Sequence, residues 1–320
     1  MKESFFCKEW IQKNNIKIEK HKDYSIIKYI CDDDGYGRVI SYNLFTGINI
    51  IFMDFHTLQS FNETILNNEI IEIRHSNKGR VEFEFGDRGV FYLKEDEFCI
   101  NKAKNLPVKY SFPFAYNSGV SLVIDRSIIN EKTQQVLSLF GINIKQLCSN
   151  LDLNLQNFIC KTPSQLTHVF SELYTAKNSK DIDYFKIKSI EILHFVSKLK
   201  NVDRFATTYC VRKHINIVKK IRDKLVYNLE EKVSIEELVE AEDISYTTFS
   251  TVYKQIYGKN PYTYLKEYKM NYAAIKLKES DMNISQIALS LGYSNASKFT
   301  KAFKDIFGIL PKDYRKKIIN

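Results

Sequence analysis

Ser294-Asn-Ala-Ser-Lys-Phe299-Thr-Lys-Ala-Phe303-Lys-Asp-Ile-Phe307-Gly308, closed by Pro311, decides the fold of the C-terminal part of this 320-residue chain. Some fifty residues earlier the same pattern reads Ser245-Tyr-Thr-Thr-Phe249-Ser-Thr-Val-Tyr253-Lys-Gln-Ile-Tyr257-Gly258, closed by Pro261. In each copy apolar residues fall at i, i+3, i+4, i+7 and i+8, the stripe of a helix that buries one face. Phe249, Val252, Tyr253, Ile256 and Tyr257 are core by this pattern, as are Phe299, Ala302, Phe303, Ile306 and Phe307. A glycine supplies the left-handed stop and a proline opens the next helix.

A short capped helix precedes each stripe. Ser234-Ile-Glu-Glu237 fits a capping box, and Asn283-Ile-Ser-Gln286 fills the same places with Asn and Gln. Gly292 can take a left-handed turn between the two helices without steric cost, and Asp243 is expected to stand at that turn in the first copy. Short helix, tight turn and second helix make a helix-turn-helix, here in tandem. Between the copies Pro261 to Glu279 reads as one helix, about 27 Å long at about 1.5 Å per residue. That length suits two recognition helices set one DNA turn apart, about 34 Å. His214–Glu230 is expected as a helix in front of the repeat.

Charge agrees with this placement. The net charge is +9, and residues 212–320 hold 20 Lys and Arg against 13 Asp and Glu. A basic third beside a near-neutral remainder points to a polyanion partner, although a basic surface can equally be plain solvated surface. The six cysteines stand far apart without a C-x-x-C pair, which fits reduced thiols and no structural zinc. With no long apolar run and no leader pattern, a cytoplasmic chain away from membranes is expected.

The first half reads differently. Arg80-Val-Glu-Phe-Glu-Phe85 alternates strictly, so Val81, Phe83 and Phe85 share one face of a strand. Ile71 and Ile73 alternate likewise, and Asn77-Lys-Gly79 is expected to turn between the two runs. Further strands are expected at 39–44, 49–55, 90–93, 98–100 and 119–125, which together suggest a small barrel or sandwich. Beyond residue 127 helices are expected at 131–139, 163–176 and 182–199. In the last, Ile192, Phe195, Val196 and Leu199 form a stripe that either packs on the barrel or pairs with its copy in a second subunit. The fold class is therefore α+β. Residues 1–200 are expected to be a strand-rich domain with a helical extension from about 127, followed by an all-α domain over 212–320.

The most specific residues are Gly292-Tyr-Ser294, then Phe299-x3-Phe303-Lys304-x2-Phe307-Gly308-x2-Pro311-x2-Tyr314-Arg315. They resemble the signature of the AraC/XylS family of bacterial transcription regulators, over roughly residues 212–315. The resemblance implies two helix-turn-helix motifs joined by a rigid helix, each laying its second helix in the major groove. By position it implies base contacts from Thr247, Ser250, Thr251, Ala296, Ser297, Lys298 and Lys301. Phosphate contacts would come from Ser245, Tyr246, Lys254, Ser294, Asn295 and Lys304. Lysine can donate to guanine, hydroxyls can serve any base, and small apolar groups can touch a thymine methyl. Lys269 and Lys276 depart from the family, which usually has Arg and a hydrophobic residue there. The first recognition helix also lacks a long reader, so more of the direct readout falls to the second motif and to DNA shape.

Residues 71–79, 92–96, 161–166 and 184–199 resemble, more loosely, the cupin-like sensory domains of regulators of siderophore uptake. This implies a small-molecule effector site, whose residues the sequence does not identify, or a homodimer interface. The resemblance as a whole implies a regulator of transcription, an activator by the family's commoner habit, partnering double-stranded DNA and RNA polymerase. No cofactor and no catalysis are expected. Two other readings stand beside it: an effector-independent dimeric DNA-binding protein, and a cupin-type metalloenzyme with a DNA-binding tail. The enzyme would need convergent histidines, and the strand-rich part offers only His21, His56 and His75, with His75 expected at a surface or edge.

Overall fold

The computed structural model describes residues 14–31, 35–57, 59–62, 69–85, 89–204, 210–227, 229–230 and 234–319. The chain divides into two compact units, Met1–Tyr209 and Cys210–Asn320.

In the first unit, twelve antiparallel strands are described: β1 (Ile16–Lys20), β2 (Tyr24–Ile30), β3 (Tyr36–Phe45), β4 (Ile48–His56), β5 (Phe61–Asn62), β6 (Ile70–Gly79), β7 (Val81–Glu84), β8 (Val90–Leu93), β9 (Glu97–Lys102), β10 (Lys109–Ser111), β11 (Asn117–Asp125) and β12 (Phe158–Lys161). They form a long sheet, ordered β1-β2-β3-β4-β11-β6-β9-β12, and a short one, β5-β10-β7-β8. Among the described residues no ladder closes the sheets into a ring, so the strand-rich unit is a pair of sheets. Helices α1 (Glu131–Leu139), α2 (Ile144–Asn150), α3 (Ser164–Ala176) and α4 (Ile182–Ser197) follow β11.

The period-two alternation of the strands sorts the core into two layers. Ile48, Ile50 and Phe52 of β4, Ile71 and Ile73 of β6, and Val120, Leu122 and Ile124 of β11 share a cluster with the helices. From the other face Ile27, Val39 and Phe55 join Phe61, Val81, Phe83, Phe85, Tyr110 and Phe112 in a second cluster. The α4 stripe is spent within the chain. Ile192 and Val196 are buried in the helix-side core, with Phe195 and Leu199 packed against it. The Phe185 ring lies 5.0 Å from Tyr42 and 5.3 Å from Phe52.

Two expectations fail here. Asn77-Lys-Gly79 makes no hairpin turn, because β6 runs straight through it. The ladder skips Asn77 as a bulge opposite Ser118 and Gly119. The chain then leaves the long sheet at Gly79, whose φ is +78° and whose Cβ position is filled by the Tyr116 carbonyl. Glycine is required there, and the bend hands the next strand to the other sheet.

His75 is the second case. It lies inside the long sheet at 3% exposure, neither at a surface nor at an edge. Its ring stacks on Phe170 at 4.2 Å, and its Nδ1 stands 2.8 Å from the Tyr174 hydroxyl of α3. Burial pulls its pKa from 6.5 down to about 4. The unfolded chain therefore binds a proton between pH 6.5 and 4 that the native state refuses, so the stability present above pH 6.5 is lost as pH falls towards 4. From pH 7.5 to pH 5 this contributes a loss of about 2 kcal/mol. Urea titrations at both pH values should show that loss shrinking in His75→Phe; an unchanged pH slope would contradict this account.

Cys99, Cys148, Cys160 and Cys210 are buried free thiols and Cys31 is a half-buried one; Cys7 lies outside the described residues. His21 stacks on Tyr24, while His56 sits beside Asp54 on β4. Among the described residues no three His, Cys, Asp or Glu side chains gather as metal ligands do. Among them, too, no helix is long and apolar enough to cross a membrane.

Candidate nucleic-acid interface

The second unit is helical throughout its described length: α5 (Arg212–Tyr227), α6 (Ile235–Glu240), α7 (Tyr246–Tyr257), α8 (Pro261–Glu279), α9 (Ile284–Ser290), α10 (Ala296–Phe307) and α11 (Pro311–Ile319). The repeat is visible at every cap. The Ser245 hydroxyl accepts the N–H of Thr248 and the Asn295 side chain accepts the N–H of Lys298. Both twelve-residue helices stop at a left-handed glycine, Gly258 at φ 77° and Gly308 at φ 75°. The strut α8 starts with Pro261 at its first turn, capped by Asn260, and its 19 residues span about 28 Å.

The first helices of the two motifs are less alike than their sequences suggest. Asn283 and Gln286 complete a reciprocal capping box. Ser234 takes the Glu237 N–H, but it is the Glu236 carboxylate that receives the Ser234 hydroxyl. Glu236 also accepts the Tyr262 hydroxyl at 2.7 Å, and this bond pushes the tyrosine up to about 12. With the caps of α7 and α10 aligned, Gly292 corresponds to Glu242, not to Asp243. Neither acid takes a left-handed conformation. The first turn closes through Glu242 N–H to the Val239 carbonyl. The second is a Schellman turn, with Tyr293 N–H on Ala288 and Gly292 N–H on Leu289.

The stripes are core as expected. Phe249, Tyr253 and Ile256 are fully buried, and Phe299 and Phe303 likewise. The opposite faces are open. On α7, Thr247, Thr251 and Lys254 are exposed and Ser250 half-buried. On α10, Ser297, Lys298, Lys301 and Lys304 are exposed, with Ala296 half-buried. Ser245, Tyr246, Ser294 and Asn295 are exposed at the helix starts, where Ser245 and Asn295 already serve as caps. Since α10 begins at Ala296, its free N-terminal amides belong to Ala296 and Ser297 rather than to Ser294 and Asn295. Matching the copies adds Thr300, which stands where Ser250 stands, and Thr248, which stands where Lys298 stands. Both are legible from the repeat, but reading each helix separately hides them.

The charges divide in a telling way. Cations of α5 are matched by acids of the first motif: Lys220 meets Glu242 at 2.6 Å and Lys213 meets Asp243 at 2.5 Å. These partners hold both carboxyls below their usual range, chiefly through the hydrogen bonds from Lys220 and Lys213. Among the described residues Lys254, Lys298, Lys301 and Lys304 have no carboxylate partner. Lys276 lies 5.3 Å from the Tyr272 ring, which shelters its stem at a place the family usually fills with an apolar residue.

The repeat also exposes a mismatch in the core. Tyr253 occupies the position of Phe303, yet its buried hydroxyl has no hydrogen-bond partner. Burial raises its pKa strongly. An unsatisfied hydroxyl costs about 1–3 kcal/mol, so Tyr253→Phe is expected to stabilise the protein by about 1 kcal/mol. Thermal denaturation would contradict this if the variant melted lower than the parent.

A family profile described as a helix-turn-helix domain matches residues 238–317. The HTH-type transcriptional regulator AlkR of Acinetobacter baylyi is 36% identical over 86 residues, covering 27% of this chain and 28% of that protein. A putative AraC-like transcription regulator of Streptomyces lividans is 32% identical over 83 residues, 26% of this chain and 27% of that protein. The chain thus matches little more than a quarter of these relatives' own length. Among solved structures, ToxT from Vibrio cholerae is 12% identical and covers 85% of this chain and 98% of its own, with a TM-score of 0.31. From the profile and the relatives, residues 238–317 of this chain are a helix-turn-helix domain of the kind carried by AraC-like transcription regulators.

Proposed function

We propose that this chain is a sequence-specific DNA-binding regulator of transcription that reads two neighbouring stretches of major groove, α7 in one and α10 in the next. The observation that carries this reading is the set of uncompensated lysines on the open face of α10, where the cations of α5 are instead paired with acids. Lys298 and Lys301 would contact base edges beside Ala296 and Ser297, while Thr247, Ser250 and Thr251 would do so from α7. Lys254 and Lys304 would hold phosphates, together with the residues at the two helix starts. Selection of duplexes from a random-sequence library with the full chain, followed by gel shifts at moderate salt, tests it. A bipartite consensus is the expected result; binding indifferent to sequence would overturn the proposal.

The finer role we infer is that of an activator, recruiting RNA polymerase, with a small effector acting at the first unit. Arg74 supports the effector. It is 6% exposed, and its guanidinium lies 5.3 Å from the Phe83 ring and 5.9 Å from that of Tyr110. Its Nη2 bonds to nothing. A buried cation without a carboxylate is costly, and an anionic ligand would relieve it. Another observation favours an effector-independent dimer: the space between the sheets is filled by aromatic rings, with Phe55 4.7 Å from Phe112 and 5.4 Å from Phe61. A thermal-shift screen with small carboxylates separates the two readings, because only the first expects stabilisation that disappears in Arg74→Met.

A further inference from the structure

The two helix-turn-helix motifs are joined by more than the strut, and one side chain closes the joint. Lys269, on α8, sends its ammonium to two carbonyls from opposite halves of the domain. It donates to Leu229, between α5 and α6, at 2.9 Å, and to Leu291, the C-cap of α9, at 2.8 Å. Burial lowers the pKa of this amine, yet two carbonyl oxygens at these distances are good acceptors for the charged form. The Leu291 carbonyl lies at a helix C-terminus, where unpaired carbonyls concentrate negative potential.

Two further contacts make the joint tight. The Leu229 side chain belongs to the second motif's core, beside Met270, Ile287, Leu291 and Phe299. Gly292, at φ +73°, lies so close that a Cβ would stand 2.9 Å from both the Leu229 and Glu230 carbonyls and 3.3 Å from the Lys269 amine. The tail of α5, the middle of the strut and the turn of the second motif therefore meet at one point. A rotation of one motif against the other would have to break both lysine bonds or drive backbone into backbone.

We propose that Lys269 is a positioning residue that sets the separation and twist between α7 and α10, so that the protein accepts only one spacing between its two DNA half-sites. This rests on the reading that both helices enter the major groove. One added base pair moves a half-site by about 3.4 Å and turns it by about 34°, more than a locked joint can follow. The side chain touches no base. Its effect appears as spacing discrimination, which a role confined to stability would leave unchanged.

The test uses the full chain and duplexes selected by the wild-type protein, with zero, one or two base pairs inserted between the half-sites. Wild type is expected to lose about tenfold in affinity per inserted base pair, whereas Lys269→Met falls to a penalty of about threefold or less. Lys269→Arg, whose fork can still reach both carbonyls, keeps the wild-type discrimination. Gly292→Ala, which forces the same joint apart, behaves like the methionine variant and serves if that variant is unstable. Both variants retaining the wild-type spacing penalty would overturn the proposal. If the wild type selects no DNA, the functional reading fails, and the joint is then judged by spin-label distances. With labels on T251C and K301C and reactive native cysteines replaced by serine, Lys269→Met should broaden the distance distribution, and an unchanged one would overturn it.

Discussion

Replacing Lys298 and Lys301 together by alanine is expected to weaken binding to a selected operator several-hundredfold, about 3–4 kcal/mol, with the fold intact. Both side chains project from the open face of α10 without an acidic neighbour among the described residues, so nothing in the protein relies on them. Removing two cations also flattens the salt dependence, by about one unit of log–log slope for each phosphate left unneutralised. The matching change on α7, Ser250→Ala with Thr251→Ala, should cost about tenfold or less, since hydroxyls discriminate weakly between bases. Gel shifts across a salt series measure both. Equal losses from the two helices would mean that they share readout evenly, contrary to the dominance expected of α10.

Phe303→Ala is expected to destabilise the second unit by about 3–5 kcal/mol. The ring is fully buried, 4.5 Å from Phe307 and 5.4 Å from Tyr314, in the cluster that also takes Met270, Ala273 and Leu277 from the strut. Truncation leaves a cavity that short helices cannot collapse to fill. Phe303→Leu keeps most of the volume and should cost about 1–2 kcal/mol. Chemical denaturation followed by circular dichroism gives the totals, and hydrogen exchange locates the loss in α9 and α10. A cost below about 1 kcal/mol for the alanine variant would mean that this cluster does not hold the second motif together.

What the residues disclose, and what they withhold, follows from the range of the interactions involved. Helix stripes, N-caps and glycine stops are local, so α7 and α10 can be read at their observed positions and α8 over 261–279. The open faces follow from the stripes by geometry. Sheet partners are chosen at long range. Nothing in Phe158-Ile-Cys-Lys161 announces that it pairs with β9, some sixty residues earlier, within an otherwise helical stretch. The bend at Gly79 reads as a turn because an Asn-Lys-Gly run suits either; what decides is the Tyr116 carbonyl pressed against it. His75 reads as peripheral for the same reason, since its burial depends on Phe170 and Tyr174, nearly a hundred residues later. Lys269 stands out in the sequence only as an unusual residue on the strut, because its two acceptors come from segments before and after it.

The seating of Leu229 in the second motif's core limits how such a protein can be rebuilt. Although the motifs arose as copies, they are no longer interchangeable cassettes. A chimaera that grafts residues 280–319 onto a foreign partner would leave a hole where that leucine belongs, whereas one cut ahead of α5 would carry its own plug. Exchange of specificity between relatives should therefore succeed with whole domains, or with surface substitutions on α7 and α10, and fail with single motifs.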